Sequence, residues 1–314
     1  MNKLIELAPN CTLAIPSETA GLGLKVMDYF VNRIDNPHTR KAKIRDLKCL
    51  SLFLETHRTD VTTCGIQHLG LYREYLKQNG KAIATIKRRI STLKDWFSFL
   101  HNEGIRDRDI ASSLKSPRRS YTTGTTPVFS RDDLATLLDS FDNSTLKGIR
   151  DKLIVSCLYY TGCRVGALVK IHIPHIKRCQ DYYEIQLDEK GGSIHTAKTH
   201  PALTNQLSEY MQYTGIKEGA LIQSVRKGST GLTGRAMLEG NVWDVIKTSC
   251  RKAGIDTMYS PHSCRATSIT NFLNAGGDLR RAQIHANHKS VQSTVLYHRN
   301  AKTISLAELD IISL

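Results

Sequence analysis

No apolar run in this sequence approaches the length of a membrane span. The strongest, around Leu153 to Tyr160, is far short of the ~20 residues that a bilayer requires. The opening stretch Met1 to Pro16 carries one lysine and no sustained apolar segment, so it does not read as a secretory signal, and the expected location is the cytoplasm. Eight cysteines are present, but they are scattered and form no C-x-x-C pair. That spacing excludes both a disulfide framework and a zinc ribbon, leaving most of them as small buried hydrophobes. Acidic residues are also scarce. Lysine and arginine total 44 against 29 aspartates and glutamates, a formal net charge of +15. Internal repeats and low-complexity tracts are absent.

A surface field of that sign attracts polyanions, and the usual polyanion at this magnitude is nucleic acid. With 314 residues the chain also exceeds what one hydrophobic core serves well, so two domains are expected. The first, residues 17–111 after a tail over 1–16, has helical texture throughout. Leu22, Val26, Phe30 and Ile34 recur at helical spacing, as do Ile44, Leu47, Leu50 and Leu54. Ile83, Ile86, Ile90, Leu93, Phe97 and Leu100 do so again. Arg40, Lys41, Lys43 and Arg45 crowd the second of these helices, and Lys81, Lys87, Arg88 and Lys94 surround the last. A solvated charged face is the ordinary reading of one such helix. Within a chain of this charge, contact with phosphates is the better expectation.

Residues 112–127 lose the apolar period and gain breakers, so they read as a linker whose Lys115, Arg118 and Arg119 suit a strap along a nucleic-acid backbone. Helical texture resumes at Ser130, an N-cap with Asp132 and Asp133 in the first turn, and opens a second domain over 128–302. Inside it, Tyr182 to Leu187 alternates, with Tyr183, Ile185 and Leu187 on one face, and leads into Glu-Lys-Gly-Gly. This is a strand entering a hairpin. The last segment, 303–314, carries a capping box from Ser305 to Glu308 on a short apolar helix.

Four segments of the second domain concentrate basic and phenolic residues. They are Tyr-Thr-Gly-Cys-Arg164, the hairpin Glu-Lys190-Gly-Gly, Ser-Pro-His262-Ser-Cys-Arg265, and Asn-His288 followed nine residues on by Tyr297. Cleaving a phosphodiester needs a nucleophile, neutralisation of the non-bridging oxygens and a proton donor for the leaving oxygen. Arginine suits the oxygens because its planar fork donates two parallel hydrogen bonds and keeps its charge. A tyrosine of pKa near 10 is only about 0.1 % ionised at pH 7, so deprotonation costs roughly 4 kcal/mol without help. His262, His288 and Lys190 are the available helpers. Singly, each of these residues has an ordinary structural explanation, and only their joint occurrence argues for chemistry.

The four segments, in residue type, order and spacing, resemble the boxes of the tyrosine recombinase, or phage integrase, family. The likeness covers roughly residues 130 to 300, and the helical segment before it resembles that family's core-binding domain. The resemblance implies a mainly α protein with a small antiparallel β-sheet: a helical N-terminal core-binding domain plus a mixed α/β (α+β) catalytic domain. It implies that Arg164 and Arg265 clamp the scissile phosphate and that Tyr297 attacks it to give a 3′-phosphotyrosyl intermediate. Lys190 then protonates the departing 5′-oxygen, and His262 and His288 assist. No metal, ATP or other cofactor is implied. The implied partners are double-stranded DNA with paired inverted core sites, at the nucleoid, and three further copies of the chain in a homo-tetramer, onto which the terminal helix could pack. No membrane is implied.

Three positions depart from the family pattern. Ala167 stands where an acidic residue is usual, Asn287 where a glycine commonly precedes the second histidine, and Ala266 where a further histidine is frequent. Lys198, on the returning strand, competes with Lys190 for the role of the lysine. The alternative functions are DNA relaxation of the type IB topoisomerase kind and non-catalytic DNA-binding regulation. A metal site at His262, His285 and His288 is disfavoured, since H-x-x-H has poor ligand spacing on a helix.

Overall fold

Helical periodicity dominates the first hundred residues, and the computed structural model realises it as four helices. The structure describes residues 2–8, 11–16, 20–118, 124–189, 192–226 and 231–298, with side chains from residue 25 onward. The chain divides into two units, Met1–Ser120 and Tyr121–Leu314, and the division falls inside the stretch read as a linker.

In the first unit, α1 (Ala20–Asn32), α2 (Pro37–Thr56), α3 (Ile66–Gln78) and α4 (Ile83–Asn102) follow a hairpin. Asn36 starts α2 by accepting from the amides of His38 (3.0 Å) and Thr39 (3.1 Å), with Pro37 in the first turn where its missing N–H is harmless. The apolar positions that share helical spacing are the ones buried: Phe30, Leu47, Leu50, Leu54, Leu93, Phe97 and Leu100 all pack into one cluster around Trp96. Ile83 is the exception, exposed at the start of α4. Residues 1–16, read from sequence as a tail, contain two paired strands, β1 (Asn2–Ala8) and β2 (Cys11–Pro16), with Leu4 opposite Ala14 and Ile5 opposite Leu13.

The second unit begins with α5 (Arg131–Asp139), whose N-cap Ser130 accepts from the amide of Asp133 at 2.9 Å. The central helix α6 (Leu146–Thr161) is buried on nearly every side, Leu153, Ile154, Val155, Cys157 and Leu158 among its core residues. After it come the single turn α7 (Val165–Leu168) and a three-stranded antiparallel sheet of β3 (Ile176–Arg178), β4 (Tyr183–Asp188) and β5 (Ile194–Lys198), in that order. Tyr183, Ile185 and Leu187 are buried on one face of β4, as the alternation requires. Next are α8 (Pro201–Thr214), the short pair β6 (Gln223–Val225) and β7 (Leu232–Ala236), and α9 (Glu239–Lys252). The unit closes with α10 (Pro261–Asn274), α11 (Leu279–His285) and α12 (Val291–Val295). The architecture is thus mainly helical with small antiparallel sheets, in agreement with the sequence texture. The helix expected over 303–314 lies outside the described residues, as do Arg119 and Lys190.

Candidate active site

The end of α6 sets the position of Arg164. Thr161 turns its hydroxyl back to the carbonyl of Cys157 (2.6 Å) and accepts from the amide of Cys163 (3.2 Å). Gly162 then takes the left-handed conformation, φ 60°, that ends the helix. A β-carbon there would also lie 3.0 Å from His285 Nε2, so glycine is required twice over. Arg164 follows as the N-cap of α7, and its partly exposed guanidinium forms an ion pair with the buried carboxylate of Glu189, at the end of β4. Ala167, in the place where an acidic residue is usual, is buried in the apolar core, so the carboxylate at this arginine comes from the hairpin instead.

Helix α10 supplies two more groups. Ser260 and Ser263 cap its start, the Ser260 amide donating to Ser263 Oγ at 3.1 Å, and Pro261 opens the first turn. His262 and Arg265, three residues apart, therefore share one face. Arg265 is 1 % exposed and donates to the main-chain carbonyls of Gly162 and Ala286. Desolvation, then the nearby charge of Arg164, pushes its pKa down to about 10, while Glu189 and Tyr297 oppose the fall. It remains a cation at neutral pH. His262 keeps solvent access on one side, yet its pKa lies below the ordinary value through desolvation first, then Arg265 and Arg164.

The fourth segment runs from α11 to just past α12. Asn287 adopts φ 45°, a left-handed conformation that asparagine tolerates better than most residues and that explains a glycine at such a place. This turn presents His288, whose Nδ1 is 2.8 Å from Thr294 Oγ1. Burial and three neighbouring cationic or imidazole groups, Arg265, Arg164 and His262, push its pKa down to about 3. Its ring is neutral at pH 7, and the Thr294 contact leaves Nε2 to face other partners. The ring lies 17° from parallel to that of Tyr297, centroids 5.8 Å apart. Tyr297 itself is buried among Ala266, Ile269, Leu273, Ala282 and Ala286, and its hydroxyl is 3.5 Å from His262 Nε2.

Five of the six residues singled out from sequence, Arg164, His262, Arg265, His288 and Tyr297, are thus brought near one another in the second unit. The sixth, Lys190, lies outside the described residues. Its competitor Lys198 is exposed and sits over the ring of Tyr182, 5.0 Å from the centroid, with its pKa raised by that phenol. Two residues were missed. Glu189 is one, and His195 on β5 is the other, half-buried, its pKa lowered by desolvation first, with Glu189 opposing and Arg265 adding to the fall. The sequence carries a signal for the first: Glu189 continues the odd-numbered face of Tyr183, Ile185 and Leu187, so its side chain points inward.

The nine cations nominated for nucleic acid are divided. Arg40 donates to the carbonyls of Ile34 and Val31, Lys43 pairs with Asp95, and Arg88 with the buried Asp46. Lys41, Lys81, Lys115 and Arg118 are exposed and Lys87 is half-exposed. Among the described residues no group of three or more His, Cys, Asp or Glu side chains is placed to hold a metal ion. His285 hydrogen-bonds Ser268 (2.8 Å) rather than sharing a partner with His288. No described helix is long and apolar enough to cross a membrane.

Comparison with known proteins identifies the family. The phage integrase family matches residues 127–303 and the phage integrase N-terminal SAM-like domain matches residues 28–104. The chain belongs to the phage integrase family of tyrosine site-specific recombinases. Among its relatives, tyrosine recombinase XerD of Listeria monocytogenes is 26% identical over 271 residues, covering 85% of this chain and 89% of the relative. XerD of Staphylococcus saprophyticus is 26% identical over 82% of this chain and 86% of its own. Two solved structures share the fold. A lambda integrase fragment (residues 75–356), a dimer bound to a core site, superposes with a TM-score of 0.69 at 16% identity, over 90% of this chain and 98% of that one. The XerH recombinase in a post-cleavage complex gives 0.65 at 16% identity, over 85% and 78%.

Proposed function

We propose that this recombinase cuts and rejoins DNA through Tyr297. The Tyr297 oxygen attacks the scissile phosphorus, a Tyr–O–P bond forms, and the bond from phosphorus to the 5′-oxygen breaks. The products are a 3′-phosphotyrosyl linkage and a free 5′-hydroxyl, so the bond energy is kept for rejoining with no ATP. The observation that carries this reading is the placement of the Tyr297 hydroxyl against the neutral imidazole of His262, close to two arginines. In it, His262 relieves the phenol of its proton as the oxygen attacks. Arg164 and Arg265 neutralise the non-bridging oxygens, and His288 donates to one of them from Nε2. Lys190, one residue beyond the buried Glu189, protonates the 5′-oxygen.

DNA is gripped electrostatically, with Lys41, Lys81, Lys87, Lys115, Arg118 and Arg119 as phosphate contacts, supported by the net charge of +15. The working assembly is a homo-tetramer on two paired inverted core sites in the cytoplasm. A solved lambda integrase of the same fold is a tetramer on a Holliday junction. A nicked substrate that traps the covalent intermediate is the test. Wild-type chain should accumulate a protein–DNA adduct, and Tyr297→Phe should form none while retaining site binding. Replacing Arg164 or Arg265 by Ala should raise the cleavage barrier by about 3 kcal/mol or more, the scale of losing an oxyanion donor. Recombination by Tyr297→Phe would sink the mechanism.

A further inference from the structure

A carboxylate buried beside two arginines proposed to bind a phosphate is an unexpected neighbour, because it competes with the phosphate for positive charge. Glu189 is 6 % exposed. One oxygen takes the ion pair from Arg164, while Oε1 lies 4.0 Å from Arg265 Nη1 and has no hydrogen-bond partner among the described residues. Its amide donates to the carbonyl of Ser193 at 2.9 Å, which closes the base of the β4–β5 hairpin. An isolated buried carboxylate costs several kcal/mol, so its position must be balanced by the two guanidinium groups, which in turn repel each other without it.

Donor geometry shows that carboxylate and phosphate can be held together. Arg265 directs Nη1 and Nη2 to the carbonyls of Gly162 and Ala286, and is fixed by the backbone. Arg164 offers only Nη1 to Glu189, which leaves the Nε–Nη2 edge of its fork for a phosphate. Among the described residues Arg164 has no such backbone anchor in its side-chain hydrogen bonds, and its partly exposed side chain takes its direction from Glu189. We propose that Glu189 is a positioning residue for strand cleavage, its buried carboxylate fixing the Arg164 guanidinium beside Arg265 so that the free edge of Arg164 meets the scissile phosphate. This rests on the reading that Arg164 and Arg265 hold that phosphate.

The role predicts a signature in pH as well as in rate. Besides Glu189, the groups that act on Arg265 include Arg164, Tyr297 and Cys163, and desolvation first, with the charge of Arg265 adding to it, depresses the imidazoles of His195, His262, His285 and His288. Glu189 holds the Arg265 pKa up at about 10 against desolvation and Arg164. Removing its charge destabilises the protonated form of every cationic group beside it, so the alkaline limb of cleavage moves to lower pH.

Single-turnover cleavage of the trapping substrate by the full chain, with DNA affinity measured in parallel, tests this for Glu189→Gln and Glu189→Asp. Arg164→Ala serves as the control. Glu189→Gln should slow cleavage roughly tenfold or more, the scale of a misplaced catalytic group, with affinity nearly unchanged and the alkaline limb moved to lower pH. Glu189→Asp, which keeps the charge, should recover part of the rate and the wild-type alkaline limb, and it decides the matter if the Gln variant does not fold. Wild-type or faster cleavage by Glu189→Gln overturns the proposal, making the carboxylate a spectator or a competitor of the phosphate. A slower rate with an unmoved pH profile overturns it too, reducing Glu189 to a packing role. If Arg164→Ala cleaves normally, the clamp reading has failed instead.

Discussion

Gly162 and Asn287 determine where the side chains of their neighbours can go. Both adopt positive φ, and each precedes a proposed catalytic residue by one or two positions, Arg164 in one case and His288 in the other. An L-residue other than asparagine at such a place is strained by about 1–2 kcal/mol. Asn287→Gly is therefore expected to leave the melting temperature unchanged or raise it slightly, while Asn287→Ala lowers it by the equivalent of about 1 kcal/mol. Gly162→Ala should be worse, because the new methyl also meets His285. Thermal melts of the three variants check the order. These positive φ values were legible only in part. The Thr-Gly break after an apolar helix marks Gly162, whereas Asn287 carries no mark of its own, and the glycine usual at its place in the family is the one hint of its backbone. The network around Arg265 was equally hidden, since its partners are carbonyls of residues 162 and 286, and main-chain groups carry no residue signature.

Among the elements, the long amphipathic helices were the most legible, since their apolar periodicity is enforced by the core that they bury. The first sixteen residues were the least, because two strands of six or seven residues show no more pattern than a loop does. Charge on α2 and α4 was legible as charge but not as contact. Sequence cannot tell a cation facing solvent from one turned to Asp46, Asp95 or the end of α1, because that depends on which acid the neighbouring helix brings opposite. The two kinds separate by experiment. Lys41→Ala and Lys81→Ala should each lower the slope of log affinity against log salt by about one and leave stability alone. Arg40→Ala should do the reverse, lowering the melting temperature with little change in slope, since its guanidinium caps the carbonyls of Val31 and Ile34. Salt titrations and melts of the three variants provide both readings.

For the molecule as a whole, buried neutral histidines make stability depend on pH. His288 and His285 are pushed down to about 3 and about 4, chiefly by burial, from an ordinary value of 6.5. Between those values the unfolded chain binds protons that the folded chain refuses, so stability is full above about pH 6.5 and falls as pH drops toward 4. Melting temperature should decline from pH 7.5 to pH 5, and His285→Gln should flatten the decline. An unchanged slope would mean that these rings protonate without unfolding the site. The net charge of +15 acts on the same scale, favouring the approach of DNA.

The central claim is that one tyrosine among the twelve of this chain forms the bond to DNA. Mapping the adduct tests it most directly: trap the covalent complex, digest both partners, and locate the nucleotide by mass spectrometry. The account predicts a 3′-linked nucleotide on the peptide bearing Tyr297 and on no other. A nucleotide on any other residue, or a 5′ linkage, would contradict it.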